Sequence, residues 1–138
     1  IFIEVMKNIV KKEKCKFFIA TGNTKEEIEI LDQITKSDLK EFCIPLNSLN
    51  INKIIPIIKN CNVAICNDSS FSHLSAALNV PTIVLMADTP LVYGSYSSLM
   101  HPILPEGAKT VSHDTLGKDK INPSEVQKKL DEILSNIF

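Results

Sequence analysis

The 138-residue chain carries 15 basic and 16 acidic side chains, which gives a formal net charge of −1. This balance excludes a surface built for nucleic acid, because such a surface needs a basic excess. Apolar residues make up 44% of the chain, as in a soluble globular protein, and no apolar run approaches the roughly 20 residues that span a bilayer. We therefore expect a cytoplasmic protein of one domain, with no nucleic-acid partner.

Glycine and cysteine usage excludes several kinds of site. The chain has four glycines, and they form neither a G-x-G-x-x-G dinucleotide fingerprint nor a G-x-x-x-x-G-K-[ST] phosphate loop. Its four cysteines contain no C-x-x-C pair. We expect them to be reduced, buried thiols and predict no metal site.

In the first part of the chain, helical and strand patterns alternate. An apolar stripe predicts a helix that begins at Phe2, and residues 16–21 predict a buried strand. Thr24 and Glu27 form a capping box before a second helix. Residues 41–44 predict a short extended segment, and a third helix over 51–58 has Asn50 or Ser48 as its cap and contains Pro56.

The second part predicts a strand over 63–66, a helix over 71–78 and a strand over 81–85. A loop, a short strand near 109–111 and a final helix capped by Asn122 follow. Apolar strands that alternate with helices predict an α/β, Rossmann-like parallel sheet with helices on both faces. Its ligand loops should follow Thr21, Cys66 and Leu85, at the carboxyl ends of the strands. Because the chain opens on a helix, we expect a fragment that lacks its first strand.

The turn Asn67-Asp68-Ser69-Ser70 stands between a predicted strand and a predicted helix. The unpaired amides of a helix's first turn and the positive end of its dipole favour an anion at such a place. The serine hydroxyls add donors, and His73 could donate to the same anion. A structural role, in which Asp68 or Ser69 only caps the helix, explains the turn alone more simply.

Two other chemistries are disfavoured at this turn. A hydrolase triad needs a base from a separate element, and the chain has no G-x-S-x-G nucleophile elbow. Asp68 and His73 alone supply too few ligands for a catalytic metal. His101 and His113 lie in weakly patterned segments and are predicted to be surface residues.

This turn begins a longer segment, residues 67–82, which has the sequence NDSSFSHLSAALNVPT. It resembles glycosyltransferase family 9, the lipopolysaccharide heptosyltransferases and their relatives, whose segment has the form N-D-[ST]-G-x-x-H-L-A-A-A-L-G-x-P-T. Residues 85–96, LMADTPLVYGSY, are similar to the family's F-G-P-T-D-P-x-x-Y-G-P-Y. Weaker similarities over 21–24, 54–61 and 121–126 extend the resemblance over nearly the whole chain.

The resemblance implies a GT-B fold, in which two Rossmann-like domains face a cleft and the C-terminal one holds the nucleotide-sugar donor. Residues 1–138 would be that single nucleotide-sugar-binding domain, without the N-terminal acceptor domain. The chain would then hold no catalytic residue and be inactive alone. The intact enzyme would be an inverting transferase that needs no cofactor or metal. It would move a sugar, with ADP-heptose as the candidate donor, onto a lipid A-core or other surface glycan.

The resemblance also assigns residues to the donor. Asp68 would meet the sugar or ribose, Ser69 and Ser70 the diphosphate, and His73 the phosphate as charge leaves. The remaining expected contacts come from the second loop and the first turn: Asp88, Thr89, Tyr93, Thr21 and Gly22. Peripheral contact of the intact enzyme with the inner membrane stays open.

The departures from the family pattern leave an alternative. Ser70 and Met86 each stand where the family has a glycine, and either side chain could close the site. The chain would then be a degenerate, non-catalytic Rossmann-like binding or assembly module. A receiver domain is disfavoured, because the turn after the first predicted strand, Thr21-Gly22-Asn23, carries no carboxylate.

Overall fold

A computed structural model describes residues 1–137. The chain divides into two compact units, Phe2–Ile54 and the residues from 55 onward together with Ile1. Each unit contains parallel strands and helices, which confirms the predicted α/β class. The strands do not form one hydrogen-bonded sheet, however: two belong to a sheet of the first unit and three to a sheet of the second.

The first unit is built on two short parallel strands. Its elements are α1 (Phe2–Val10), β1 (Phe17–Ile19), α2 (Lys25–Thr35), a 3-10 turn (Lys40–Phe42) and β2 (Cys43–Pro45). The strands pair with Phe17 opposite Cys43. The core centres on Met6, Ile34 and Leu39, so the predicted apolar stripe of the first helix is confirmed.

Two predictions in this unit need correction. The strand predicted over 16–21 is only three residues long, and Phe18 within it is 41% exposed. Glu41, predicted to be extended, lies in the 3-10 turn before β2. This turn is closed by a bond from the Phe42 amide to the Leu39 carbonyl, and the Leu39 side chain is buried in the core. A tertiary anchor therefore overrides the local extended pattern.

The predicted caps are confirmed. Helix α3 (Ile51–Lys59) contains Pro56, and the Asn50 side chain accepts from the Lys53 amide at 3.2 Å. Helix α5 (Pro123–Ile137) begins after Asn122, whose side chain accepts from the Ser124 amide at 2.9 Å. Among the helices of residues 1–137, none has both the length and the apolar character that a membrane crossing needs.

The second unit is a three-stranded parallel sheet in the order β3-β4-β5. The chain runs from β3 (Ala64–Asn67) through α4 (Ser70–Ala77) to β4 (Thr82–Leu85), all within one residue of the predicted bounds. Strand β4 lies in the middle, and its four residues are all buried. The four cysteines are free and partly buried, and burial raises the pKa of the Cys66 thiol to about 12.

The third strand of this sheet lies outside the predicted place. The strand expected near 109–111 is absent from the described residues, and β5 covers Met100–Ile103 instead. It contains Pro102, and it bonds only to β4, as an edge strand. Proline is tolerated at such an edge, where its missing amide breaks no ladder bond. Val111 is apolar for another reason: it packs in a cluster with Ala76, Val84, Met86 and Met100.

The connection from α4 to β4 depends on a left-handed residue. Asn79 has φ 63°, its amide donates to the Ala76 carbonyl at 3.1 Å, and the Val80 amide donates to Ser75 at 3.0 Å. These two bonds form a Schellman motif, which ends a helix with a residue in the left-handed region. The family pattern has glycine at this place, and asparagine is one of the few other residues that adopt this conformation readily.

We expect Asn79→Ala to lower the free energy of unfolding of the second unit by about 1 kcal/mol, because alanine is penalised in the left-handed region. Asn79→Gly is the matched control and should change stability by less than about 0.5 kcal/mol, since glycine adopts this φ freely. Urea unfolding followed by tyrosine fluorescence measures this unit, because both tyrosines belong to it. Equal losses in the two variants would contradict the backbone explanation.

Candidate functional site

The N-terminus of α4 has the geometry of an open helix end. Ser69 is the N-cap in extended conformation, and the fully buried Ser72 hydroxyl donates to the Ser69 carbonyl at 2.7 Å. The first-turn amides of Ser70 and Phe71 have no partner inside the helix. The Ser69 and Ser70 side chains are exposed. Anion binding at this turn stays a prediction, and the exposed Ser70 side chain stands where the family has glycine.

Asp68 and His73 come together beside this turn. The Asp68 carboxylate is only 12% exposed, and its Oδ1 lies 4.0 Å from His73 Nε2. That distance is too long for a direct hydrogen bond, but the two side chains form an ion pair when the imidazole is protonated. On its other side, His73 Nδ1 lies 2.8 Å from the Tyr96 hydroxyl, and the two rings are stacked.

A cavity of about 210 Å³ opens where β3 and β4 end. This is the sheet edge at which parallel α/β folds bind ligands. The cavity is polar on several sides and is lined by Asn67, Asp68, Leu85, Ala87, Asp88 and Lys118. It unites two residues that the sequence singled out, Asp68 and Asp88, with a lysine that it did not.

Lys118 reaches the cavity because of the glycine before it. The Gly117 amide donates to the Ala87 carbonyl at 2.9 Å, and a Cβ at Gly117 would stand 2.3 Å from Pro105 Cγ. Only glycine lets the backbone approach the loop after β4 this closely. The 3-10 turn Lys118–Lys120 therefore starts directly beside Ala87 and Asp88. In the sequence this region has weak patterning, and only the Gly117-Lys118 pair could have indicated such a contact.

Met86 does not line this cavity. Its side chain is fully buried in the cluster with Ala76, Val84, Met100 and Val111. A Cβ at Gly94 would lie 2.3 Å from Met86 Sδ, so the methionine fills the space that this glycine leaves. The methionine that replaces the family glycine at position 86 is thus accommodated in the core.

We expect Gly94→Ala to destabilise the second unit by about 1–3 kcal/mol, because the added methyl overpacks a closed core. The φ of Gly94 is not in the left-handed region, so backbone strain does not contribute. In a Met86→Val background, which removes the sulfur, the same substitution should cost less than half as much. Unfolding of the two single variants and the double variant measures this coupling, and strictly additive losses would refute the contact.

The other second-loop candidates lie outside the cavity lining. Thr89 is half-buried, and Tyr93 is 51% exposed in the 3-10 turn Leu91–Gly94. Their contact with a ligand stays a prediction. His113 is exposed, as predicted, whereas His101 is a half-buried residue of β5. Burial and the nearby Lys129 lower the pKa of His101.

The first-turn candidates, Thr21 and Gly22, belong to the first unit. The Gly22 amide already has an acceptor, because it donates to Glu27 Oε1 at 3.1 Å. The Glu27 carboxylate also accepts from the Thr24 amide and hydroxyl, which confirms the capping box. The Thr21 hydroxyl oxygen is buried without a hydrogen-bond partner. An anion at this turn would have to displace a carboxylate of the chain itself.

The same bonds predict a pH dependence. Hydrogen bonds from the Thr24 side chain and backbone lower the pKa of Glu27, so its ionised form stabilises the folded state. That stabilisation is complete above the unfolded pKa and is lost as the pH falls through the lowered one. Glu27→Gln should therefore destabilise the first unit at about pH 7 and converge with the wild type below about pH 3.

Amide NMR signals of α2 along a urea titration report this difference. Glu26→Gln is the matched control, since Glu26 lies in the same first turn. The explanation fails if the two glutamine variants lose equal stability at neutral pH.

Within residues 1–137, no group of three His, Cys, Asp or Glu side chains lies close enough together to hold a metal ion. The cavity instead combines carboxylates, an amide and one ammonium group. Such groups bind hydroxyls and phosphate oxygens through hydrogen bonds.

The sequence model of the family described as glycosyltransferase family 9 (heptosyltransferase) matches residues 2–114 of this chain. The chain belongs to this family. The lipooligosaccharide heptosyltransferase 2 of Haemophilus influenzae is 36% identical over 75 residues, which cover 52% of this chain and 22% of that protein. The lipopolysaccharide heptosyltransferase 1 of Campylobacter coli is 28% identical over 114 residues, 81% of this chain and 33% of that protein. The chain thus spans a third or less of the length of these two relatives.

A solved structure confirms the fold. The E. coli ADP-heptose LPS heptosyltransferase II superposes with a TM-score of 0.73 over 98% of this chain and 40% of that one, at 19% identity. The predicted fold of a GT-B glycosyltransferase, with Rossmann-like α/β architecture, is therefore correct. Lys118 lies beyond the residues that the family model matches.

Proposed function

We propose that this chain is the nucleotide-sugar-binding domain of a heptosyltransferase, with both units as parts of that domain. The observation that carries the proposal is the cavity at the ends of β3 and β4, which adjoins the open N-terminus of α4. Membership of glycosyltransferase family 9 supplies the class of ligand. ADP-heptose is the proposed donor, and a lipid A-core glycan is the proposed acceptor of the intact cytoplasmic enzyme.

The cavity and the N-terminus of α4 beside it together suit two parts of such a donor. The Asp68 and Asp88 carboxylates only accept hydrogen bonds, so they suit the hydroxyls of a sugar or ribose and repel phosphate. The α4 amides, the Ser69 and Ser70 hydroxyls and the Lys118 ammonium donate, so they suit the diphosphate. His73 would donate to a phosphate oxygen as negative charge develops on the leaving nucleotide.

The intact enzyme would transfer the sugar with inversion, and its base and acceptor contacts would come from a second domain. We expect the chain alone to bind donor without catalysing transfer. The alternative of a degenerate module is motivated by Ser70 and Met86, the two side chains that replace family glycines. Met86 lies in the core and not in the cavity, so it no longer supports that alternative. Ser70 remains as its motivation, and nucleotide binding decides between the two.

The test is an amide NMR titration of the labelled chain with ADP, UDP and GDP to several millimolar. We expect shifts at residues 67–73, 87–88 and 118 for one nucleotide in preference to the others. Asp68→Asn should abolish sugar-dependent discrimination between ADP-heptose and ADP. Lys118→Met should weaken ADP binding about 3- to 10-fold, since a charge-assisted hydrogen bond is lost.

Lys120→Met is the matched control, because Lys120 lies in the same 3-10 turn but does not line the cavity. It should leave the affinity unchanged. A folded chain that shows no shift with any nucleotide, in wild type and in Ser70→Gly alike, would contradict donor binding and favour the assembly module. Recovery of binding in Ser70→Gly alone would show that the serine closes an otherwise competent site.

A further inference from the structure

Tyr96 makes two contacts with His73 that the proposed donor chemistry has not used. Its hydroxyl lies 2.8 Å from His73 Nδ1, and the two rings stack with centroids 5.6 Å apart and planes 10° apart. Tyr96 is itself 61% exposed, so it is not held in place by burial. An exposed tyrosine that keeps both a ring contact and a hydrogen bond to a single partner restrains that partner's orientation.

The proton of a neutral His73 can lie on only one ring nitrogen. Nε2 faces Asp68 Oδ1 at 4.0 Å, and that carboxylate is only 12% exposed. Solvent screens such a partly buried charge less than an exposed one. A lone pair on Nε2 would point toward the negative oxygen, whereas an N–H there is attracted to it. The proton therefore belongs on Nε2, and Nδ1 is left to accept from the Tyr96 hydroxyl.

We propose that Tyr96 is a positioning residue, which holds the imidazole of His73 as the Nε2–H tautomer with this N–H directed toward Asp68. The consequence for ligand binding rests on the proposed function. Because 4.0 Å is too long for a hydrogen bond to Asp68, the fixed Nε2–H remains free to donate to a ligand oxygen, whereas the other tautomer would present a lone pair to that oxygen and repel it. A donor that is already oriented needs no reorganisation when charge develops on the leaving group.

The loop that carries Tyr96 is anchored to the core of the second unit. Ser95 Oγ donates to the Leu91 carbonyl at 2.8 Å, which closes the 3-10 turn just before Tyr96. Gly94 in that turn lies against the buried Met86 side chain. The segment that carries Tyr96 to His73 is thus tied to the end of β4.

The experiment reads the ring nitrogens of His73 directly. In alkaline solution, where a histidine side chain is neutral, ¹⁵N-¹H ring correlations of the labelled chain distinguish the two tautomers. We expect His73 to be held as Nε2–H more completely than the exposed His113, with its Nδ1 signal at the position of a hydrogen-bond acceptor. Tyr96→Phe keeps the ring but removes the hydroxyl, so the Nδ1 signal should move to that of an unbonded nitrogen.

Tyr93→Phe is the matched control for the ring signals, because Tyr93 lies in the same loop and, among the described residues, Tyr96 and not Tyr93 bonds to and stacks on His73; it should leave those signals unchanged. The proposal is overturned if His73 is the Nδ1–H tautomer, or if Tyr96→Phe leaves both ring nitrogens where they were. A merely structural role of the tyrosine would be reproduced by phenylalanine.

A second measurement separates this proposal from the proposed function. In the ADP titration, Tyr96→Phe should lower the affinity about 3- to 10-fold, the effect of one hydrogen bond. If the wild type binds no nucleotide but the ring signals respond to Tyr96→Phe, donor binding fails and the positioning of His73 stands. If ADP binds and Tyr96→Phe changes neither the ring signals nor the affinity, donor binding stands and the positioning role is wrong.

Discussion

Strand β4 is the constraint on which the second unit depends. It is hydrogen-bonded on both sides, and Ile83 and Val84 within it are fully buried. The buried Thr82 hydroxyl is satisfied by the Val80 carbonyl at 2.8 Å, so the strand begins without an unpaired polar group. A slip of its register by one residue would turn every side chain to the other face of the sheet and disrupt the packing on both buried faces. Because β4 ends at Leu85, its register also sets the positions of Leu85, Ala87 and Asp88, which line the cavity.

The segment after β4 alternates between core and cavity. Met86 is directed into the core, and Asp88 faces the cavity two residues later. Further along, Gly94 closes against Met86 and Tyr96 reaches His73. One loop therefore ties the packing of the sheet to the arrangement of polar groups around α4. This connection explains how a methionine can replace a glycine here without entering the cavity.

The β3-α4-β4 unit could be predicted from the sequence, because its apolar runs are continuous and its turn residues are clear. Strand β5 could not, since His101 and Pro102 interrupt its pattern and its place is set by pairing with β4. Lys118 was missed for a similar reason: its position depends on Gly117 fitting against Pro105 and Ala87, which lie at least twelve residues away. Tyr96 stands in the family-like segment, but nothing local indicates that it contacts His73.

Pro102 has a consequence for association between molecules. The carbonyls of Leu99 and Ile103 accept from β4, so the alternate residue Pro102 directs its backbone away from β4, toward the open edge of the sheet. An incoming strand would need an amide at that point, and proline has none. Growth of this sheet at its β5 edge, by the edge-to-edge pairing that begins many aggregation reactions, is thus hindered by a single residue. The interruption that hid the strand in the sequence is what keeps its edge closed to other chains.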